Sequence, residues 1–76
     1  MIKINKTTET LGIMDPEVLY SKELSLTAKG IYATIMNCNG CKTNVDELYN
    51  CSTDSREVVD IAIKELLEKD LIQFVQ

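Results

Sequence analysis

The 76-residue sequence has no histidine and no tryptophan, a single phenylalanine, one proline and three glycines. Without histidine the chain lacks the side chain that most often serves as general base or metal ligand near neutral pH. Its three cysteines, Cys38, Cys41 and Cys51, fall one short of a tetrahedral all-cysteine zinc site. Cys38-Asn39-Gly40-Cys41 has C-x-x-C spacing, but it is predicted to straddle a helix C-terminus, where the dipole favours the thiol over the thiolate. Cys38 and Cys51 read as small core residues and Cys41 as a loop residue. No G-x-x-x-x-G-K-[ST] phosphate loop is present. The paired carboxylates Asp46-Glu47 and Glu57/Asp60 fall on helix surfaces, and a chain this short barely encloses a pocket that could desolvate a general acid. The expectation is a protein that is not an enzyme and that uses no metal or cofactor. Three tyrosines and one phenylalanine are too few for a base-stacking platform. No apolar run is long enough for a membrane span, and neither a secretory signal nor a lipidation motif is seen. The expected setting is cytoplasmic, with reduced thiols and no membrane partner.

The charge is present but lopsided. The net charge is −4. Residues 1–42 hold five lysines and four acids, net +1; residues 43–76 hold three basic and eight acidic residues, net −5. Such a deficit repels phosphate at long range and attracts basic partners, and it also describes a solvated surface that keeps a small protein soluble.

The order of elements follows from periodicity and end signals. Ile2-Lys3-Ile4-Asn5-Lys6 alternates as a short half-buried strand does, and Thr7-Thr8-Glu9-Thr10 is polar and predicts a loop or strand end. Asp15-Pro16-Glu17 is a helix start, with a capping Asp, a proline at the first helical position and an acid near the positive end of the dipole; the helix should run to Ser21. Ser25 caps a second helix, whose Ala28, Ile31, Tyr32, Ile35 and Cys38 share one face. Gly30 costs this helix roughly 1 kcal/mol relative to Ala, a cost that close approach by a neighbouring helix would explain. Gly40 can end it in the left-handed conformation. Thr43-Asn44-Val45-Asp46 has the cap-x-x-acid pattern for a third helix, with Val45, Leu48 and Tyr49 on its apolar face. Ser55 or Asp54 opens the longest helix, to about Lys69, with Val59, Ile63 and Leu66 as its stripe, widened by Ala62 and Leu67. Leu71 to Val75 is a strand, apolar on both faces, that should pair with Ile2–Asn5. The most buried residues are expected to be Ile4, Ala28, Ile31, Ile35, Leu48, Val59, Ile63, Leu66 and Ile72.

The segment Leu24-Ser25-Leu26-Thr27-Ala28-Lys29-Gly30 resembles the first long helix of winged-helix domains in plasmid replication initiators and primosome-loading proteins, which often begin Leu-Ser-x-x-Ala-Lys-Gly. Val45-Asp46-Glu47-Leu48 is similar to their second helix. Ser55-Arg56-Glu57-Val58-Val59, Ile63-Lys64-Glu65-Leu66 and Leu71-Ile72 are similar to their recognition helix and first wing strand. The resemblance spans about 70 of the 76 residues. It implies one domain over residues 1–76, mostly α with a small β-sheet and winged helix-turn-helix-like with a truncated wing. The sequence departs from the family's pattern where DNA is read. Positions commonly Arg or Lys after the recognition-helix Val are Asp60 and Ile61, the turn carries Thr53-Asp54, and the Gly before the wing strand is Asp70. On this helix only Arg56 and Lys64 remain as candidate contacts, and a few bases do not offset five nearby acids against phosphate.

Three functions are open on these grounds. The first is a small acidic winged-helix module that binds a protein with a basic surface through Asp54, Glu57, Asp60, Glu65 and Glu68. The resemblance to plasmid and phage replication domains implies a mobile-element origin, and with it a regulator or an anti-CRISPR-like inhibitor of a nucleic-acid-binding machine. The second is a DNA-binding transcription or replication-initiation domain that works as a dimer and contacts duplex DNA through Lys3, Lys6, Lys22, Lys29, Lys42, Arg56 and Lys64. The third is the N-terminal domain of a longer initiator. The apolar strand at residues 71–75 also predicts a homodimer.

Overall fold

The computed structural model describes residues 1–5 and 15–76. The elements in chain order are β1 (Ile2–Ile4), α1 (Pro16–Leu19), α2 (Leu26–Met36), β2 (Lys42–Thr43), α3 (Val45–Asn50), α4 (Arg56–Glu68) and β3 (Ile72–Phe74), with a single 3-10 turn, Asn39–Cys41, before β2. The protein is mostly α with a small antiparallel sheet of order β2-β1-β3. β1 lies in the middle of the sheet, paired Ile2↔Phe74, Lys3↔Gln73 and Ile4↔Ile72 with β3 and Ile2↔Thr43 and Lys3↔Lys42 with β2.

Each helix begins on a side chain that satisfies an otherwise orphaned backbone donor. Asp15 accepts from the Glu17 N–H, Ser25 from Ala28, Asn44 from Glu47 and Ser55 from Val58. The third helix therefore starts one residue later than the cap-x-x-acid pattern predicts. Asn44 is the cap, and Thr43 is the buried end of β2, its hydroxyl donating to Glu47 Oε2 at 2.6 Å. The first helix, expected to run to about Ser21, spans Pro16–Leu19 with Tyr20 as its C-cap. α4 ends in a Schellman motif: the Leu71 N–H donates to Leu66 O and the Asp70 N–H to Leu67 O, both at 3.0 Å, with Asp70 left-handed at φ 58°.

The core lies between the sheet and the α2–α4 pair. All nine residues expected to be buried are buried, joined by Ile2, Val18, Leu24, Tyr32, Ala62 and Thr43. Burying one such aliphatic side chain contributes about 1.5–3 kcal/mol, which is what holds strands of two and three residues in register. Two expectations are corrected here. Gly30 is exposed and a Cβ there would meet nothing within 4 Å, so no helix among the described residues approaches it. Cys51 is exposed while Cys41 packs against the core, the reverse of the expected roles; Cys41 is turned inward by the left-handed pair Gly40 (φ 71°) and Cys41 (φ 53°). No helix among the described residues is long and apolar enough to cross a membrane.

Candidate functional site

α4 sets the site because its apolar stripe, Val59, Ala62, Ile63 and Leu66, is turned wholly inward. Helical spacing then assigns the other positions. Glu57, Ile61, Lys64 and Glu68 lie on the side opposite the stripe and are exposed. Asp60 and Arg56 flank the stripe on one side, towards α3. Glu65 and Val58 flank it on the other, towards α2.

Of the five acids expected to act as one face, two are engaged by neighbouring helices and three are not. Glu65 is half-buried and caps α2: its Oε1 accepts from the Ser25 N–H at 2.9 Å and its Oε2 from the Ser25 hydroxyl at 2.8 Å. In an ordinary capping box that acid sits three residues after the cap, but here that position is Ala28, and the acid arrives from another helix. Asp60 accepts a hydrogen bond from the Tyr49 hydroxyl of α3. The Arg56 guanidinium lies over the Tyr49 ring, 4.6 Å from its centroid, a cation–π contact. The hydrogen bond to Asp60 is the main cause of a Tyr49 pKa above its ordinary value, with desolvation and the Asp60 charge adding to it and Arg56 opposing it. Tyr49, Arg56 and Asp60 thus join α3 to α4.

Glu57, Glu68 and Asp54 remain, exposed and without a side-chain partner among the described residues. Glu57 lies one turn before Ile61, which is 62% exposed, and Val58 beside it is 40% exposed, while Glu68 lies on the same side two turns further on. Lys64 is the one base on this face. Asp54 is set apart, in the α3–α4 turn, where its N–H donates to Ser52 Oγ at 3.0 Å.

The bases of the DNA-binding reading are scattered. Lys22 is exposed between α1 and α2, and Lys29 is half-buried on α2. Arg56 is engaged by Tyr49. Lys6 lies outside the described residues. Lys3 and Lys42 alone are brought together, directly opposite each other on the solvent face of the sheet, with Gln73 across from Lys3. Like charges in direct opposition destabilise a sheet, and the one ion pair among the described residues, Lys69–Glu23, leaves both lysines uncompensated.

Sequence reasoning did not single out Ile61 and Val58 as exposed apolar residues, although Ile61 falls off the Val59–Ala62–Ile63–Leu66 period. It also missed β2, whose two residues carry no alternation to detect, and with it the Lys3–Lys42 pair. Tyr49 and Ser25 were assigned to an apolar face and a cap, and no local signal joins either to an acid 11 or 40 residues on. Among the described residues no group of three or more His, Cys, Asp or Glu side chains gathers at metal-binding spacing. Comparison with protein-family models, with curated proteins and with solved structures finds no match to this chain.

Proposed function

We propose that this protein acts by binding a protein partner with a basic surface, as a small acidic winged-helix module that regulates or inhibits a nucleic-acid-binding machine. The observation that carries the reading is the outward face of α4, with Ile61 exposed at its centre, Val58 exposed at its α2 side, and Glu57 and Glu68 one turn before and two turns after Ile61 around the single base Lys64. Interfaces use an apolar core for affinity and charged rims for orientation and association rate. In the winged-helix resemblance this is the helix that enters DNA, and here its exposed acids oppose phosphate. The reading assumes a cytoplasmic setting in which the thiols of Cys38, Cys41 and Cys51 stay reduced.

Affinity capture with the wild type, the Glu57→Lys/Glu68→Lys variant and a Lys3→Ala/Lys42→Ala variant tests this, alongside a mobility shift on random duplex DNA. We expect a specific captured protein to be lost with the α4 variant, to survive the lysine variant, and to bind less well as salt rises, since exposed charges are screened within about 8–10 Å. Sub-micromolar duplex binding by the wild type at physiological salt, tightened by the α4 variant, would overturn it.

A second reading rests on the Lys42–Lys3–Gln73 row. An uncompensated pair of lysines in an acidic protein is suited to phosphate, and in that case the domain contacts nucleic acid with the sheet rather than with α4. The same mobility shift, abolished by Lys3→Ala/Lys42→Ala, identifies this outcome. In either reading a homodimer through the outer edge of β3 is part of the proposal.

A further inference from the structure

A groove of about 280 Å³ runs between α2 and the α3–α4 turn. Ile31 and Leu48, 7% and 2% exposed, are its most buried lining residues, and Gly30, Thr34, Thr53 and Asp54 are among its walls. Its volume lies just below the roughly 300–1,000 Å³ of small-molecule pockets. It suits one long side chain rather than a cofactor.

Gly30 gives the groove its meaning. A glycine inside an eleven-residue helix is a poor helix former. No left-handed backbone requires it, since its φ is not positive, and no neighbour requires it, since a Cβ would meet open space. A longer side chain there would have open space to extend over the groove that Gly30 helps line. Among the described residues the walls carry no basic group: the Asp54 carboxylate has no side-chain partner, and Thr27, Thr34, Cys51, Ser52 and Thr53 line the rest, with the Thr34 hydroxyl donating to Gly30 O at 2.8 Å. An apolar base beneath an acidic, acceptor-rich rim matches an aliphatic stem that ends in a multi-donor cation.

We infer that this groove receives an arginine side chain of the basic partner, with its methylenes on Ile31 and Leu48 and its guanidinium on Asp54. The inference rests on the protein-binding reading and extends the contact from α4 to the preceding turn. Arginine fits better than lysine because its planar fork can pair with a carboxylate in bidentate fashion and donate to neighbouring hydroxyls.

The probe is a short acetylated and amidated peptide with one central arginine, titrated into the ¹⁵N-labelled full chain, beside citrulline and lysine versions. We expect the arginine peptide to move the amides of Gly30, Thr34, Thr53 and Asp54. The citrulline and lysine peptides should bind about tenfold or more weakly. Gly30→Gln should abolish these shifts while raising Tm by a few degrees, because the helix gains a better former as the groove is filled. Asp54→Asn should weaken binding by about tenfold. Unchanged affinity in Gly30→Gln, equal binding of the citrulline or lysine peptide, or shifts confined to the α4 face would overturn the groove. The α4 charge-reversal capture reports separately, so the groove can fail while the protein-binding reading stands, and the reverse.

Discussion

Asp70 holds a left-handed backbone, φ 58°, at the position after the α4 cap where glycine is the usual solution. The conformation is held by its own N–H to Leu67 O and by the Asn5 side chain, whose Nδ2 donates to Asp70 O at 2.8 Å. Its carboxylate also sits at the negative end of the helix dipole. Asp70→Gly relieves both costs, keeps the carbonyl that Asn5 uses, and loses some stability through a freer unfolded chain. The expected net is a gain of about 0.5–1 kcal/mol in urea unfolding, with Asp70→Asn gaining less because only the charge is removed. A loss on Asp70→Gly would mean that the 3.3 Å contact from Asn5 Nδ2 to Asp70 Oδ1 outweighs the backbone term. That the chain carries an Asp where a helix C-terminus usually takes glycine was legible in the sequence. That the backbone still takes the glycine conformation was not, because φ at one residue follows from where β3 must go.

The elements are joined by side chains that replace local signals. Glu65→Ala removes the acceptor for both the Ser25 N–H and its hydroxyl, and should cost about 0.5–2 kcal/mol, the range for losing a cap. Because Ser25 Oγ also accepts from the Ala28 N–H at 3.1 Å, Ser25→Ala and Glu65→Ala should be less than additive in a double-mutant cycle, and full additivity would show the cap and the interhelical contact to be independent. Tyr49 and Asp60 make a second joint, with a sign that can be worked out. The Tyr49 pKa is raised above its ordinary 10.0, so the joint's contribution is complete below pH 10 and is lost as pH rises through the folded value. Asp60→Asn should move the Tyr49 ionisation to lower pH in an ultraviolet titration, and an unmoved curve would disprove the contact. Glu23 runs the other way. Its hydrogen bond and charge contact with Lys69 hold its pKa below 4.5, so that pair contributes above pH 4.5 and is lost as pH falls through the folded value.

At the scale of the whole molecule, the outer edge of β3 pairs with no other strand among the described residues, and the proposed homodimer would use it. Met1 and Val75 exchange two backbone hydrogen bonds, at 2.9 and 2.8 Å. The antiparallel alternation therefore turns the N–H and C=O of Phe74 away from β1, towards the open side of β3. Phe74 stands opposite Ile2 on the core-facing side of the sheet, yet it is 59% exposed while Ile2 is fully buried. A second copy that added its own β3 would pair those groups and cover both rings. Sedimentation should show a dimer at high micromolar concentration that Phe74→Ser shifts to monomer. A wild type that stays monomeric there excludes this edge as the contact.

What the sequence determined by itself was everything that a stretch of neighbouring residues can specify. Helix starts were written in Asp15-Pro16, Ser25 and Ser55, and the buried stripe of α4 in the spacing of Val59, Ile63 and Leu66. The pairing of β1 with β3 was legible too, because two short apolar strand signals in a small domain have few other places to go. Only the tertiary structure decided what each acid does. Asp60 and Glu65 look like Glu57 and Glu68 in the sequence, but packing turns the first two onto α3 and α2 and leaves the second two in solvent. It also set Lys42 against Lys3, and left Gly30 open beside a groove where the sequence suggested a close helix. The physical reason is the same in each case: helical period fixes the angle of a side chain about its own axis, while its partner depends on which element the core brings alongside.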